Sequence, residues 1–425
     1  MILVTPIHAC EARISRNRAI VLVGYAVATS IVAFAQPLYR VTDLGRMPGY
    51  TFSTTPLALN NRGEVVGFAQ GGALYQAFIW DAPNGMRALP PVPGQETRSS
   101  TAVGINELGE IIGFSGQSGG SHMVGWLLRN GQYTLLGTLP GLDGCLPRAI
   151  NNNTEIVGSA TGIDPLDPYT NFYWSPATGM INVAPGIESE FYGINDAGLI
   201  CGGVRSGDAV GVMTWDVRNG AATDIGSLPG AALSFGYSVN ESGRVAGASV
   251  YITSAGHRTS HGVWGAAGTS LTDVDLFQSV ASGINERGEV VGWRLLLNNS
   301  DFLSWVYSPQ RGLISDLQSV VEEPAFFSRV SGARAINDRG QIIAYGNNGH
   351  FPTDLSRRGL LLTPLFPIPG DVNNDGLVDE RDLGELLSVF STCTGTPGFN
   401  PAADFDSSGC IDESDLGLLL ANFGM

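Results

Sequence analysis

Along most of this chain the apolar residues keep a short rhythm with no helical period. Brief runs rich in Val, Ile, Leu and aromatics alternate with turns built from Asn, Gly, Asp and Pro, the pattern of short strands. One string recurs seven times, as LNNRGEVVG, INELGEIIG, INNNTEIVG, INDAGLICG, VNESGRVAG, INERGEVVG and INDRGQIIA. Its Asn falls at 60, 106, 151, 195, 240, 285 and 337, giving intervals of 46, 45, 44, 45, 45 and 52 residues. Asn at the first position of a type I turn caps the backbone with its side chain, and Gly three residues on accepts a left-handed conformation. Such a turn followed by a Gly bulge is a common hairpin connection. The V/I-V/I-Gly stretch that follows is β-branched and apolar, as an inner strand should be. Thr154 holds the Gly position of the third copy, where a β-branched residue is strained, so that turn is expected to differ.

A second signal follows each hairpin. An apolar stretch ends in Trp80, Trp126, Trp174, Trp215 and Trp264, with Tyr307 in register in the sixth copy. A short polar turn and a strand such as LLGTLPG come next, so each unit offers about four short strands. That is the length of one propeller blade, and the pattern predicts a mainly β chain with a closed seven-bladed β-propeller over residues 36–365. An open β-solenoid is the alternative. The strand at Tyr39–Gly45 precedes the first Asn motif and the last strand lies near Arg358–Leu365, so the early strand is expected to complete the final blade. The aromatic row recurs in every copy and is therefore read as core between blades rather than as a sugar-stacking platform.

The composition changes after Pro364, Pro367 and Pro369, with 366–370 as a Pro-rich linker. The segment GDVNNDGLVDERDLGELLSVF places Asp371, Asn373, Asp375, Gly376, Asp379 and Asp382 at positions 1, 3, 5, 6, 9 and 12 of a loop. A second copy places Asp404, Asp406, Ser408, Gly409, Asp412 and Asp415 identically. A hard cation needs six to eight oxygens, and this alternation supplies them, with Gly making the sharp turn. Leu377 and Cys410 hold position 7, which contributes only its backbone oxygen. The reading is therefore two Ca²⁺ ions as cofactors. Position 12 is Asp rather than Glu, and the prolines remove any entering helix. The exiting segments LGELLSVF and LGLLLANF are apolar enough to form helices packed on each other.

Charge and cysteine content narrow the partners and the compartment. Of 425 residues 15% are charged, the net charge is −16, and all 23 basic residues are Arg. That excludes the basic footprint of a nucleic-acid binder and the Lys/Arg clusters of a membrane-surface protein. Residues 1–35 read as a signal peptide: Arg13, Arg16 and Arg18 precede an apolar run ending in Ala33-Phe34-Ala35, a small-x-small cleavage pattern. Cleavage would remove Cys10 and leave Cys145, Cys201, Cys393 and Cys410 in an oxidising compartment. Cys393 and Cys410 share one small C-terminal unit and are a candidate disulfide; Cys145 and Cys201 lie in different repeats, and no pairing follows for them. With no C-x-x-C, a zinc or redox reading has no support.

Several other patterns carry little chemistry. Gly116-Gln117-Ser118-Gly119-Gly120 fits G-x-S-x-G but lies in a Gly/Ser loop with no helix to follow. His257 and His261 flank a non-helical stretch without the metalloprotease Glu, and read as exposed loop histidines. The Glu or Asp that follows the repeated Asn in most copies reads as turn chemistry rather than a catalytic pair. Non-repeated acids such as Asp164, Asp167, Glu188, Glu190, Glu322 and Glu323 are candidates to line a propeller funnel, but no two are seen to converge, so no catalytic residue is named.

Two resemblances rest on these motifs. The repeats resemble the extracellular family named for a His-Ala-Phe triplet, over about three-quarters of the chain. They share its Ile-Asn-x-x-Gly hairpin and the turn seen in Leu136-Gly137-Thr138-Leu139-Pro140-Gly141, with the triplet degenerate as in Gln76-Ala77-Phe78. That resemblance implies an exported β-repeat protein and carries over no particular enzymatic activity. Residues 371–425 resemble a type I dockerin, a duplicated EF-hand-like unit whose loop acids bind calcium and whose helices dock onto cohesin modules. The family's Ser-Thr pair at positions 10 and 11 is here Glu380-Arg381 and Glu413-Ser414, a departure at the partner-selecting positions. The expected function is a non-enzymatic, secreted or cell-surface binding and display protein that attaches to a cohesin-like partner. The alternative is a carbohydrate-active enzyme or polysaccharide-binding component using the propeller funnel.

Overall fold

The computed structural model describes residues 38–424 except 73, 117–121, 163–169, 184–188, 207–208, 253, 255, 297–301, 310, 323–328, 348–356, 366–369, 374–377 and 407. The expected signal peptide, most of the linker, and Ser118, Asp164, Asp167, Glu188 and Glu323 lie outside the described residues.

Seven four-stranded antiparallel blades make up the β structure. Blade one is Ser53–Leu59, Val65–Gly71, Leu74–Asp81 and Gly85–Ala88, and each later blade repeats that order around its own Asn hairpin. Blades four and five are joined at one parallel bridge, Val210 to Leu233. The strand Tyr39–Asp43 pairs with Arg358–Pro364 as the outer strand of blade seven. The first strand of blade one packs beside that of blade seven, so the ring closes and the solenoid is excluded. An N-terminal strand completing the last blade leaves it with no missing outer strand.

Apolar side chains on both faces of each sheet hold neighbouring blades together. Val65, Phe78 and Trp80 of blade one pack with Ile343 and Leu361 of blade seven, while Val66 and Ala77 pack with Ile111 and Trp126 of blade two. The aromatic row is thus core between blades, as its repetition implied. Its register differs from the sequence reading at two blades. Trp80, Trp174, Trp215 and Tyr307 pair with Val65, Ile156, Ile200 and Val290, whereas Trp126 pairs with Gly113, two residues early. Trp126 occupies the place held by Phe78, Phe172 and Trp305, each opposite a Gly of the hairpin motif. Trp264 is one residue off, opposite Ala246.

The turn at Thr154 does not differ. Gly63, Gly109, Gly198, Gly243, Gly288 and Gly340 have φ between +71° and +81°, and Thr154 adopts +61° in the same hairpin. Its hydroxyl donates to Glu110 of blade two at 2.8 Å, which offsets the strain of a β-branched residue there.

Beyond the propeller residues, two nine-residue helices, α1 (Glu380–Ser388) and α2 (Glu413–Ala421), share an apolar core of Val372, Val378, Leu386, Ala403, Ile411 and Leu419. Both begin with a capping box, Asp379 with Asp382 and Asp412 with Asp415. Cys393 and Cys410 form a disulfide, while Cys145 and Cys201 are buried thiols whose pKa burial pushes up to about 12.

Candidate functional site

Two features of this fold place chemistry-bearing side chains together: the axial channel and the second acidic loop. The channel is built from the first strand of each blade, and its edge is the ring of hairpins. Each repeated Asn accepts through its side-chain oxygen from the N–H four residues on, and Asn106 and Asn151 accept also from the N–H two residues on, which is the local cap the sequence predicts. Its Nδ2 does something the sequence reading missed. Asn60 donates to the carbonyl of Asn106, Asn106 to Asn151, Asn151 to Asn195, Asn195 to Asn240, Asn240 to Asn285, Asn285 to Asn337, and Asn337 back to Asn60, at 2.8–3.2 Å. Seven buried amides thus form one closed circuit around the axis.

The residues after those asparagines form a second circuit. The N–H of Asn61 donates to Glu107, that of Glu107 to Asn152, Asn152 to Asp196, Asp196 to Glu241, Glu286 to Asp338 and Asp338 to Asn61, at 2.7–2.9 Å. Glu241 donating to Glu286 completes it. These acids are therefore stitches between blades, not turn chemistry within one. Burial, and the charge of Asp338 nearby, push the carboxyls of Glu107, Glu241 and Glu286 above the usual range.

Three residues before each Asn, the inner strand is irregular. Register shifts lie between Pro56 and Ala58, Ala102 and Gly104, Pro147 and Ala149, Phe191 and Gly193, Gly236 and Ser238, Ala281 and Gly283, and Ser331 and Ala335. The extra residues Leu57, Val103, Arg148, Tyr192, Tyr237, Ser282 and Arg334 all line one cavity of about 530 Å³, with Phe114 and Trp293 from second strands. The last Gly of the hairpin motif explains the bulge. A Cβ on Gly67, Gly113, Gly158, Gly202, Gly247 or Gly292 would lie 1.8–2.2 Å from a carbonyl of the bulged strand. Blade seven has Ala344 at that place, and its inner strand departs further, with Gly332 at φ +57°.

Aromatic and basic groups meet in the cavity. Tyr192 and Tyr237 stack edge to face at 5.0 Å, and the Arg148 guanidinium lies 5.7 Å from the Tyr192 ring centre. Of the acids expected at the funnel, Glu190 is beside it, accepting from the Tyr192 hydroxyl. Glu322 instead lies against the outer strand, where its N–H donates to the Tyr39 carbonyl and its carboxylate pairs with Arg40 at 3.7 Å. Burial with Glu190 nearby pushes the Tyr237 phenol up to about 12. His257 is exposed, but His261 belongs to the strand Arg258–Gly265, half-buried and 2.9 Å from Asp273.

In the second acidic loop, Asp404, Asp406 and Asp415 bring one oxygen each within 4.8 Å of one another. The buried Asp404 Oδ1 has no hydrogen-bond partner among the described residues, and Oδ2 accepts from Gly409 N–H at 3.0 Å. Asp415 is fully buried and accepts from the N–H groups of Phe405, Asp406 and Asp412. Asp412 instead caps α2, accepting from Ser414, and Ser408 Oγ donates to the Cys410 carbonyl at 3.0 Å. In the first loop Asp382 repeats the role of Asp415, accepting from Val372, Asn373 and Asp379, and Asp379 caps α1. Asp371 is buried there, while Asp375 and Leu377 lie outside the described residues.

No family model and no curated protein matches the chain. Among solved structures it is similar to TolB from Acinetobacter baumannii, at 12% identity over 58% of this chain, with a TM-score of 0.41. The chain spans 61% of that protein's length. It is also similar to an oligogalacturonate lyase from Vibrio parahaemolyticus, at 10% identity over 76% of this chain and 93% of that one, TM-score 0.46. The β-propeller domain of the Trilobed protease from Pyrococcus furiosus gives 9% identity, 77% and 93% coverage, and a TM-score of 0.47. Likeness at this level decides nothing about chemistry, and the propeller assignment rests on the chain's own strand pairing.

Proposed function

We propose that this chain is an exported, non-enzymatic binding and display protein, its C-terminal dockerin-like unit binding two Ca²⁺ ions and attaching the propeller to a protein partner. The observation that carries this reading is the second acidic loop. A carboxylate oxygen, Asp404 Oδ1, is buried with no donor among the described residues and lies close to two further carboxylates, an oxygen set of the kind a hard cation takes. The first loop repeats the same oxygen-bearing spacing 33 positions earlier, with Asn373 for Asp406 and Asp375 for Ser408, and both loops lead into a capped helix. Asp371, Asn373, Asp375, Asp379, Asp382 and the Leu377 carbonyl would hold one ion. Asp404, Asp406, Ser408, Asp412, Asp415 and the Cys410 carbonyl would hold the other. Calcium bound there would partly neutralise a segment carrying eleven acids and one Arg.

Attachment finds support on the helices. Leu387 and Leu420 are equivalent in the duplication, and with Phe423 they are 52%, 55% and 41% exposed, apolar side chains that a protein partner could cover. The disulfide between Cys393 and Cys410 accords with an oxidising compartment. The non-enzymatic reading draws on the acids: those of the axial ring are held by main-chain N–H groups, and Glu190 by Tyr192. A second reading, sugar recognition in the funnel, is favoured by the aromatic and Arg side chains that line it. Calcium titration of the whole chain tests the first. Two ions per chain are expected, one in Asp404→Asn, and an absence of calcium uptake would overturn it.

A further inference from the structure

The seven channel-lining bulge positions are related by the repeat, yet they carry Leu, Val, Arg, Tyr, Tyr, Ser and Arg, whereas the Asn three residues on never changes. A side chain required by the blade would repeat with it. Variation at the cavity wall beside an unchanging Asn is what a ligand asks for. We propose that the channel binds a short acidic oligosaccharide, its carboxylates pairing with Arg148 and Arg334 and its rings packing on Tyr192, Tyr237 and Trp293. This rests on the sugar-recognition reading of the propeller and is independent of calcium.

The two guanidiniums carry the charge argument. Acids outnumber arginines 39 to 23 in this chain, yet neither Arg148 nor Arg334 has a carboxylate partner among the described residues. Arg148 lies over Tyr192, and Arg334 lies 5.3 Å from the centre of the Tyr345 ring, with its Nε donating to that phenol. The planar forks of both remain open to bidentate carboxylates. They stand on blades three and seven, with blades four to six between them on one side and blades one and two on the other. Two separated cations suit two separate carboxylates better than one phosphate.

The aromatic groups lie on the blades between the arginines: Tyr192, Tyr237 and Trp293 belong to blades four, five and six. Tyrosine and tryptophan faces pack against the apolar faces of pyranose rings while Tyr hydroxyls hydrogen-bond their hydroxyls. A volume of about 530 Å³ is in the range of ligand cavities. The wider departure of blade seven adds a recess of about 200 Å³ beside Trp293 and Arg334. Ser331 lines it, 4% exposed, and its Oγ has no hydrogen-bond partner among the described residues.

The test titrates the whole protein with three probes: a uronic-acid trisaccharide, the neutral trisaccharide of the same linkage, and a nucleoside monophosphate. Saturable binding of the acidic sugar is expected, with quenching of Trp fluorescence and weakening as salt rises. The neutral sugar should bind at least tenfold more weakly. Arg148→Ala and Arg334→Ala should each lower affinity by roughly tenfold or more, with circular dichroism and calcium uptake unchanged. Arg→Lys at either position should restore part of the loss. Equal affinity for the neutral sugar, preference for the nucleotide, or binding indifferent to both arginines would overturn the proposal. So would no binding by any probe, which leaves the calcium proposal standing because its isotherm reads only the C-terminal loops.

Discussion

At the scale of single residues, the asparagine circuit separates what a turn needs from what the ring needs. A turn cap needs only an acceptor, which Asp or Ser would supply as well as Asn. The chain uses Asn in all seven copies, and the structure shows why: Nδ2 must donate across to the next blade. The repetition was legible, and so was the preference for an amide, but its target lies in another blade and has no local signature. Asn195→Asp keeps the shape and the bond from Leu199 N–H while losing the donor to the Asn240 carbonyl, at a site 3% exposed. The expected loss is about 2 kcal/mol or more in denaturant unfolding at pH 7, smaller at pH 4 where protonation returns a donor. An unchanged midpoint would show that the circuit contributes nothing. Thr154 gives a paired test. Thr154→Val keeps the left-handed strain and deletes the bond to Glu110, so it should be less stable by roughly 1–3 kcal/mol. Thr154→Gly loses the same bond but also releases a strain of about 1–2 kcal/mol, and should fall between Val and the natural residue.

At the scale of elements, blades were legible because four short strands and their turns repeat at one spacing, but strand registers were not. Phe78 and Trp80, or Phe172 and Trp174, point to the same face of one strand, so an aromatic pattern cannot say which of two positions Trp126 fills. The bulges were hidden for a similar reason, since one extra residue shifts an alternation without erasing it. Their signal is the motif's last Gly. Gly247→Ala would put a methyl 1.8 Å from the Phe235 carbonyl and push the bulge inward. Melting should show a loss of about 2–3 kcal/mol, whereas Ala344→Gly in blade seven should leave the fold intact at a cost of about 1 kcal/mol or less. The disulfide in the C-terminal unit closes a 17-residue separation and ties the second loop to the chain after α1. Loop-closure entropy gives about 3 kcal/mol for a bridge of that span. Cys393→Ser with Cys410→Ser should therefore weaken calcium affinity by destabilising the loops, with the metal restoring much of the structure by mass action. Equal calcium affinity with and without the bridge would show that the loops are held by the helix caps alone.

At the scale of the whole molecule, closure depends on contacts between residues 277 apart in sequence, Asn337 to Asn60 and Asp338 to Asn61, which no local pattern records. The early strand at Tyr39 hinted at closure, and the same join carries an electrostatic strain of its own. Burial pushes up the carboxyls of Glu107, Glu241 and Glu286, and Asp338 pushes each in the same direction. Folded values above the unfolded one of about 4.3 mean that the native ring disfavours its charged forms. The contribution of these groups to stability is fullest below that value and is lost as pH rises through the raised folded values. Glu155 works the other way. Burial would raise its carboxyl, but hydrogen bonds from Arg218, Asn151 and Tyr173 outweigh it and the net shift is downward. Its contribution is present above the unfolded value and lost as pH falls. The two signs can be separated by Glu286→Gln, which keeps an oxygen for the Glu241 N–H and removes one of five ring charges. At pH 7 the variant should melt higher, by an amount equivalent to roughly 1 kcal/mol or less, because the repulsion from Glu241 and Asp338 is gone. At pH 4 the natural Glu is itself mostly protonated, so the two proteins should melt together. A variant that melts lower at pH 7 would show instead that the hydrogen bond from Glu241 needs the full carboxylate charge, and that the ring is stabilised by its anions.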